Sequence, residues 1–457
     1  MLVSKEEENN QVNSTSVDEN EMVVNPWKVS GIVDYMKLIS HFGTNGIDGK
    51  IIERWEKVTK MPAHTWLRRG LFFSHQDLEK ILDEREAGRN VYLYTGRGPS
   101  SESMHLGHLV PFIFTKYLQD ALDAIVIIQM SDDEKFFFKG GKLDEYLRLS
   151  YENAKDIIAC EFNVNKTFIF SNLMSMGGDL YYNNAIIMQA INGNQIKGIY
   201  GLGLDNNIGQ LVWPCFQSGP AFSTSFRDIL GDKPLYCLVP MAIDQAPYFR
   251  MARDVHKKLQ CPKPAVIHSR FLPGLQGPKG KMSSTSNNVE NGPLDLSREG
   301  TLFLNMDRNS ILKTIQRHAY SGGRETIEEH RHKGGDIRID VCYQYLCYFM
   351  DSDLELKNIA QQYSSGELLT GQLKKITANI IADVIEKHQK MKNQVTDTVL
   401  KQFFDRNRQF DLSEKEADPN MNNVYQEYEK YGINFDLTFG YKPKCETQNI
   451  LLVHSNY

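Results

Sequence analysis

The sequence predicts an α/β fold: a parallel sheet with connecting helices, a subdomain inserted within it, and a separate α-helical domain after it. Three observations predict this arrangement. Short apolar runs and a helical pattern alternate from residue 91 onward, about a hundred residues separate two of those runs, and only helical patterns follow Ile311. At 457 residues, 41% hydrophobic and 24% charged, the chain is long enough for two or three domains.

Four short apolar runs are predicted to be strands, because they are rich in β-branched residues and each stops at polar residues. In open parallel sheets, ligands bind at the carboxyl ends of the strands, so those polar residues are candidates for the functional site. The runs are 91–94, 124–129, 236–243 and 265–268, and their polar ends are 95–98, 129–135, 244–245 and 269–270.

A helix is predicted between the first two strands, since apolar residues recur there at three- and four-residue spacing from Leu106 to Leu118. Proline is tolerated in the first turn of a helix, so Pro111 predicts that this helix begins near residues 105–108. His105 and His108 would then lie at the helix N-terminus, where free backbone N–H groups favour anions.

The segment 132–235 is predicted to be the inserted subdomain, because it is too long for a single crossover between strands. It contains a strand-like run of its own at 167–170. Beyond it, the helical pattern of the last third is clearest between residues 374 and 392. Its apolar stripe is Ile376, Ile380, Ile381, Val384, His388 and Met391, and its lysines are Lys374, Lys375, Lys387, Lys390 and Lys392. Those lysines form either a solvated face or an RNA-binding surface.

Charge and cysteine content exclude several classes of protein. The net charge of −5 argues against indiscriminate adhesion to nucleic acid, and the longest aliphatic stretch, 124–130, is too short to span a bilayer. Residues 1–24 are predicted to be a disordered acidic leader unlike any targeting peptide, which favours the cytoplasm. The seven scattered cysteines indicate reduced thiols. A zinc site from Cys342, Cys347, His330 and His332 is conceivable, although no second cysteine pair supports it.

The run PSSESMHLGH at 99–108 is a candidate nucleotide site. Gly107 has no Cβ, so a planar base can lie directly on the backbone, while His105 and His108 offer donors to phosphate oxygens. Arg97 lies between Gly96 and Gly98 on a pliant turn and could clamp phosphates. The alternative is a pair of surface histidines that cap a helix.

The run KMSST at 281–285 supplies a second part of that site. Glycines at 274, 277 and 280 precede it, so Lys281 could bring a full charge to a leaving pyrophosphate. Ser283, Ser284 and Thr285 add neutral donors. The alternative is a flexible surface loop with a stray lysine, but the run closely follows a predicted strand end, where a nucleotide site is expected.

These two runs resemble the HIGH and KMSKS motifs of class I aminoacyl-tRNA synthetases, whose catalytic domain is Rossmann-like. Four further runs are similar to the eukaryotic-type tryptophanyl-tRNA synthetase family, in the right order and over about residues 25–405. They are YTGRGPSSE at 94–102, IQMSDDEK at 128–135, AIDQAPYFR at 242–250 and SGGRETIEEHR at 321–331. The chain departs from the general pattern at Ser284 and Thr285, and Ala246 stands where relatives often carry Asp.

The resemblance implies a reaction and a set of site residues. Tryptophan would be activated by ATP with Mg²⁺ to an adenylate and transferred to tRNA(Trp) by a homodimer, without a tightly bound protein metal. Tyr94 and Gln129 would pair with the indole N–H, and Glu134, Gln217 and Gln245 would surround the ammonium and carboxylate groups. The remaining implied site residues are Arg97, His105, His108 and Lys281 for catalysis, with Gly96, Gly107, Met282, Ser283 and Ser284 also at ATP.

The resemblance also divides the chain. It implies an N-terminal extension at 25–90, a Rossmann-like catalytic domain at 91–318, an anticodon-binding helical domain at 319–408, and a tail at 409–457 without a family counterpart. Three other functions compete: a tyrosine-specific relative, a non-catalytic RNA-binding or signalling protein on the same scaffold, and a different nucleotidyltransferase. Which amino acid supports ATP–pyrophosphate exchange distinguishes the first of these from a tryptophan enzyme.

Overall fold

The computed structural model describes residues 34–281 and 300–412, with the backbone of two short strands before them. The side chains of 278–281 are not described. Met282, Ser283 and Ser284 lie outside the described residues, as do 1–22 of the predicted leader and 413–457 of the predicted tail.

A seven-stranded sheet forms the centre of the molecule. Its strands are β3 Asn45–Gly46, β4 Phe72–Gln76, β5 Val91–Arg97, β6 Ile125–Met130, β7 Thr167–Ser171, β8 Tyr236–Ala242 and β9 Ala265–Ser269. Two separate two-stranded sheets are formed by β1 Val23–Val24 with β2 Val29–Ser30, and by β10 Pro273–Gly274 with β11 Gly277–Lys281. The sheet order is β3-β4-β9-β8-β5-β6-β7, and the five strands from β9 to β7 are parallel. The four predicted strands are therefore β5, β6, β8 and β9, and the predicted α/β class with a parallel sheet is confirmed.

The parallel strands are buried on both faces, as expected for strands connected by helices. Alternate residues of β5 and β6 belong to two separate apolar clusters: Leu93 and Val126 to one, Tyr92 and Ile127 to the other. This two-residue alternation holds the sheet between two helical layers and fixes the register of the strand ends.

Nineteen α-helices surround the sheet within the described part of the chain. They are α1 Tyr35–Phe42, α2 Gly49–Thr59, α3 Thr65–Arg68, α4 Leu78–Glu86, α5 Leu106–Leu122, α6 Glu134–Lys139, α7 Leu143–Ile158, α8 Asn172–Ser175, α9 Gly178–Ala190, α10 Gly193–Tyr200, α11 Ile208–Ser218, α12 Arg227–Leu230, α13 Ala246–Val255, α14 Arg308–His318, α15 Ile327–Lys333, α16 Val341–Phe349, α17 Asp353–Ser364, α18 Thr370–Lys392 and α19 Asp397–Phe404. Short 3-10 helices lie at Val164–Lys166, Gly219–Ala221, Ser223–Phe226 and Ile243–Gln245. No described helix combines the length and the apolar content needed to cross a membrane.

Strand β7 corrects one sequence prediction. The run at 167–170 was assigned to the inserted subdomain, but β7 pairs in parallel with β6 and forms an edge of the central sheet. The error arises because an apolar run does not reveal its pairing partner. Helix α7 thus belongs to the connection between two neighbouring strands of the central sheet, β6 and β7. An insertion within 132–235 begins only after Ser171.

The N-terminal segment contributes to the same sheet. Strand β4 pairs antiparallel with β9, and β3 pairs antiparallel with β4. Between β4 and β9, Ser74 Oγ and His268 Nδ1 are 3.0 Å apart and buried. Burial lowers the pKa of His268 to about 3, so this imidazole is neutral at physiological pH. The sequence did not predict β3 or β4.

Helix α5 begins at Leu106, as Pro111 predicted, but the proline is the sixth helical residue rather than a first-turn residue. A proline at this position has no N–H for the carbonyl of Gly107 four residues earlier. Gly107 is partly exposed and lines an open cleft.

The helices after residue 308 form a bundle in which α14 and α16 pack on α18. Helix α14 lies before the predicted boundary at 319. In α18 the predicted stripe is inward, with Ile381 and His388 buried and Ile376, Ile380 and Val384 packed against the core. The remaining domain boundaries stay predictions.

The structure bears on two questions that the sequence left open in this bundle: the role of the lysines on α18 and a possible zinc site. Lys374 donates to the Gln316 carbonyl, Lys387 pairs with Glu161 and Lys392 with Asp156, so three of the five lysines have structural partners. No three His, Cys, Asp or Glu side chains of the described residues are grouped closely enough to hold a metal ion, which leaves the zinc alternative unsupported.

Candidate active site

A cleft of about 350 Å³ opens at the carboxyl ends of β5, β6, β8 and β9. It lies where β5 has β6 on one side and β8 on the other, which is the reversal point at which open α/β sheets bind ligands. Ten residues predicted for the site line this one cavity: Tyr94, Gly96, Arg97, His105, Gly107, His108, Gln129, Glu134, Gln217 and Gln245.

Lys281 is the eleventh predicted residue with a described position. It is the last residue of β11, and it pairs in register with Pro273 of β10. Pro273 directly follows Leu272, which lines the cleft. The described chain resumes at Gly300, and its backbone then pairs with the first motif: Leu106 N donates to Leu302 O at 2.9 Å, and Leu304 N donates to Met104 O at 2.9 Å. The described residues on either side of 282–299 therefore lie beside the cleft.

His105 and His108 lie together at the N-terminus of α5. His105 is the N-cap residue, its backbone N–H donates to His108 Nδ1 at 3.3 Å, and the two rings stack with centroids 3.4 Å apart. Both side chains line the cavity at the positive end of a 17-residue helix, which suits an anionic ligand.

Arg97 is a desolvated cation at the end of β5. Its Nε donates to Asn153 Oδ1 at 3.3 Å, while Nη2 is buried without a hydrogen-bond partner in the described residues. Burial lowers the pKa of Arg97 to about 10, and the nearby carboxylates of Glu134 and Asp156 oppose the shift. The guanidinium therefore stays charged at neutral pH and has an N–H group available for an acceptor.

Glu134 supplies a carboxylate to the lining of the cleft. Its carboxylate accepts from Ser131 Oγ at 3.3 Å and pairs with Lys135 Nζ at 3.1 Å. A Cβ on Gly98, the residue after β5, would lie 2.3 Å from Glu134 Oε2, so a larger residue there would displace the end of the Glu134 side chain. Gln217 at the end of α11 and Gln245 before α13 line the same cavity.

Tyr94 and Gln129 form a buried polar pair in the cavity wall. Tyr94 Oη lies 2.5 Å from Gln129 Oε1 and 2.9 Å from the Gln217 carbonyl. Burial raises the pKa of Tyr94 well above its ordinary value, so the phenol is neutral. The pair offers donor and acceptor atoms within an otherwise apolar wall that includes Val239, Met241 and Phe249.

Several cavity residues were not among the predicted site residues. Lys135, Asp244, Tyr248, Ser269 and Arg270 also line the cleft. Lys135, Asp244, Ser269 and Arg270 fall within the polar strand ends named from the sequence, so the strand-end rule had included them without giving them a role. Tyr248 lies inside α13, where that rule gives no signal. Arg270 lies over the ring of Tyr35 at 4.8 Å, and Tyr35 Oη accepts from Phe271 N at 3.1 Å, which brings α1 to the cleft.

The arrangement can hold a ligand with an anionic end and an ammonium end. Arg97, His105 and His108 line the cavity near one helix N-terminus, and Glu134 and Asp244 supply carboxylates. An apolar wall with a polar pair, Tyr94 and Gln129, suits an apolar group that carries a hydrogen-bonding atom.

Comparison with known proteins decides the family. Residues 206–386 match the model of tRNA synthetases class I (W and Y). The cytoplasmic tryptophan–tRNA ligase of Homo sapiens is 46% identical over 387 residues, which is 83% of this chain and 80% of that protein. The chain belongs to the tryptophanyl-tRNA synthetase family.

Solved structures of the tryptophanyl-tRNA synthetase family share the fold. The chain resembles the Plasmodium falciparum enzyme with a TM-score of 0.75 and 42% identity, over 82% of this chain and 98% of that one. An Encephalitozoon cuniculi tryptophanyl-tRNA synthetase bound to tryptophan is similar with a TM-score of 0.72 and 37% identity, over 82% of this chain and 100% of that one. The Arabidopsis thaliana cytoplasmic tryptophan–tRNA ligase is 43% identical over 84% of this chain and 94% of that protein.

Proposed function

We propose that the cleft is the site at which this tryptophan–tRNA ligase activates L-tryptophan with ATP. The observation that carries the proposal is the buried Tyr94–Gln129 pair in an apolar wall, opposite a basic helix N-terminus. The indole N–H is a donor only, so a tryptophan pocket must supply an acceptor, and Gln129 Oε1 is positioned to be one.

Binding of the amino acid uses charge as well as the indole pocket. Glu134 and Asp244 would neutralise the ammonium group, while Gln217 and Gln245 would position the carboxylate by hydrogen bonds. Because a buried polar partner left unpaired can cost a wrong substrate a factor of about 10⁴, phenylalanine should be rejected well. Tyrosine, which carries a hydroxyl, is the harder competitor.

Adenylate formation follows from the basic side of the cleft. The tryptophan carboxylate attacks the α-phosphorus of ATP in line, an oxygen–phosphorus bond forms, and the bond to the leaving pyrophosphate breaks. Arg97, His105 and His108 would stabilise charge on the phosphates, and Gly96 and Gly107 would let the nucleotide approach the backbone. Lys281, Met282, Ser283 and Ser284 would act on the leaving group, with Mg²⁺ entering as part of the ATP complex.

Transfer to tRNA completes the proposed reaction. The terminal ribose hydroxyl of tRNA(Trp) attacks the activated carbonyl and releases AMP. The predicted helical domain at 319–408 would bind the anticodon, and the protein would work in the cytoplasm, the compartment given in the names of its ligase relatives.

A homodimer is proposed from the apolar surface after β7. Six of the thirteen exposed large apolar side chains that the structure describes fall between residues 173 and 208. They are Leu173, Met174, Tyr181, Tyr182, Leu204 and Ile208. Exposed apolar residues concentrated in one segment are typical of an interaction surface.

The double substitution Tyr182→Glu and Leu204→Asp is expected to give a monomer. Placing two charges within an apolar interface removes its hydrophobic contacts and buries unpaired carboxylates, which costs several kcal/mol, on the order of 3–5. Light scattering of micromolar protein after gel filtration measures the mass. Leu354→Asp, at an exposed leucine of α17, is the control, and an unchanged dimer mass in the double variant would contradict the interface.

Gln129→Met tests the proposed pocket. The substitution removes the indole acceptor and leaves Asn172 Oδ1 without its donor, so kcat/KM for tryptophan should fall about 100-fold, or roughly 2.7 kcal/mol. The measurement is ATP–pyrophosphate exchange with tryptophan, with tyrosine and with no amino acid, repeated with Lys281→Ala for the second motif.

Gln119→Met is the matched control, because Gln119 is an equally buried glutamine that bonds to Lys166 O and Thr167 Oγ1 away from the cavity. Its KM for tryptophan should stay within about 2-fold of wild type. A wild-type protein without tryptophan-dependent exchange, or one driven by tyrosine, would overturn the proposed function.

A further inference from the structure

The motif SDDEK contains two aspartates that do not line the cavity. Asp132 and Asp133 are buried between the cavity residues Ser131 and Glu134. Burying two carboxylates is costly unless each is hydrogen-bonded, so their contacts show what they stabilise. Both point to the end of the neighbouring strand β7, where Met130 is in register with Ser171.

Asp132 holds the backbone at the end of β7. Its carboxylate accepts from Leu173 N at 3.1 Å and from the hydroxyls of Ser171 and Ser150. These bonds fix the turn from β7 into α8, and Asn172 is the first residue of that helix. The position of the Asn172 side chain relative to β6 is thereby set.

Asp133 holds the side chain of Asn172. Asn172 Nδ2 donates to Asp133 Oδ1 at 2.9 Å, and Asn172 Oδ1 accepts from Gln129 Nε2 at 2.9 Å. If the Asn172 amide were reversed, its oxygen would face the carboxylate and its NH₂ group would face that of Gln129. Both contacts would be repulsive, so the orientation of this amide is determined by its neighbours.

The same reasoning extends to Gln129. Its Nε2 has two acceptors, Asn172 Oδ1 and the Phe216 carbonyl at 3.1 Å, so both amide hydrogens are engaged. The oxygen is left on the side of Tyr94 and the cavity. An acceptor-only carboxylate thus sets the polarity of two successive amides, and the last of them lines the amino-acid pocket.

We propose that Asp133 and Asn172 are positioning residues for amino-acid selection, which lock the Gln129 amide so that its oxygen faces a ligand N–H donor. This inference rests on the proposed function, since it concerns how that pocket recognises the indole. It assigns to the middle of the SDDEK motif a role in specificity, whereas the next residue, Glu134, lines the cavity itself.

The test compares two substrates that differ in one donor. In 3-benzothienylalanine, sulfur replaces the indole N–H, so the acceptor on Gln129 cannot be used. The ratio of kcat/KM for tryptophan to kcat/KM for this analogue, in pyrophosphate exchange, measures recognition of the N–H alone. The assay is run at pH 8, because burial raises the pKa of Asp133 to about 7 and the carboxyl must be ionised.

Asn172→Leu is expected to lower that ratio about 10-fold, because Gln129 can then rotate its NH₂ group toward the cavity. Asp133→Leu should lower it similarly, whereas Asp133→Asn, which retains an oxygen for Asn172 Nδ2, should restore most of it. In a Gln129→Met background, Asn172→Leu should change the ratio no further, because its effect is transmitted through Gln129.

Asn183→Leu is the matched control, since Asn183 is an equally buried asparagine that donates to Thr224 and Ser225 away from the cavity. A merely structural role would lower kcat/KM for both substrates together and leave the ratio unchanged, and that result would overturn the inference. If Asn172→Leu does not fold, Asn172→Ala gives the same comparison. Absent tryptophan-dependent exchange in the wild type would instead refute the proposed function.

Discussion

Replacing Arg97 by glutamine is expected to lower kcat for tryptophan-dependent pyrophosphate exchange by about 10²–10³-fold, or roughly 2.7–4 kcal/mol, the usual effect of removing one donor to developing charge. Arg97 lines the cleft with a buried Nη2 that has no hydrogen-bond acceptor within the described residues. A phosphate oxygen of ATP would supply that acceptor, so the interaction forms only with the nucleotide. The KM for tryptophan should stay within about 3-fold, because Tyr94 and Gln129 are unaffected.

Two further substitutions separate this effect from a structural one. Arg97→Lys retains the charge without the planar fork of donors, so its kcat should fall between those of the wild type and of Arg97→Gln. Arg253→Gln is the control, because Arg253 is a largely buried arginine that pairs with Asp77 and the Pro264 carbonyl outside the cleft. A raised KM for tryptophan at unchanged kcat in Arg97→Gln would place Arg97 at the amino acid rather than at the phosphates.

The sequence predicted the cleft better than it predicted the sheet. Four strand ends, read together with the rule that ligands bind at carboxyl ends of parallel strands, placed residues as distant as Arg97 and Gln245 in one cavity. The rule succeeds because parallel neighbours bring their ends to the same edge, whatever the length of chain between them. It needs no knowledge of the strand order.

The parts of the sheet that the sequence missed depend on pairing at long range. The segment 72–76 is short, and its partner β9 is almost two hundred residues away, so no local pattern shows that the two strands pair. The same limit caused the error at β7, whose apolar run is visible in the sequence although its pairing with β6 is not. Side-chain networks such as Gln129, Asn172 and Asp133 are also formed only after the strands are in register.

The largest expected loss of stability comes from a contact between the N-terminal segment and the helical bundle. Asp353, in the first turn of α17, accepts from Arg68 Nη2 at 2.8 Å and from Arg69 Nε at 2.7 Å, and all three side chains are buried. Arg69 Nη1 also donates to the carbonyls of Cys347 and Met350, at 2.9 Å and 2.7 Å. One carboxylate therefore pairs with two buried guanidinium groups and joins segments far apart in the chain.

Asp353→Ala is expected to lower the free energy of unfolding by about 3–5 kcal/mol, because it leaves buried positive charge without a partner. Urea unfolding followed by tryptophan fluorescence is suited to the measurement, since buried Trp66 donates to the Tyr348 carbonyl on the adjoining helix α16. Glu102→Ala, which breaks an exposed pair with Arg148, should cost less than about 1 kcal/mol. An equally small loss in Asp353→Ala would mean that water reaches both arginines, and that the N-terminal segment is held to the bundle by apolar packing rather than by this ion pair.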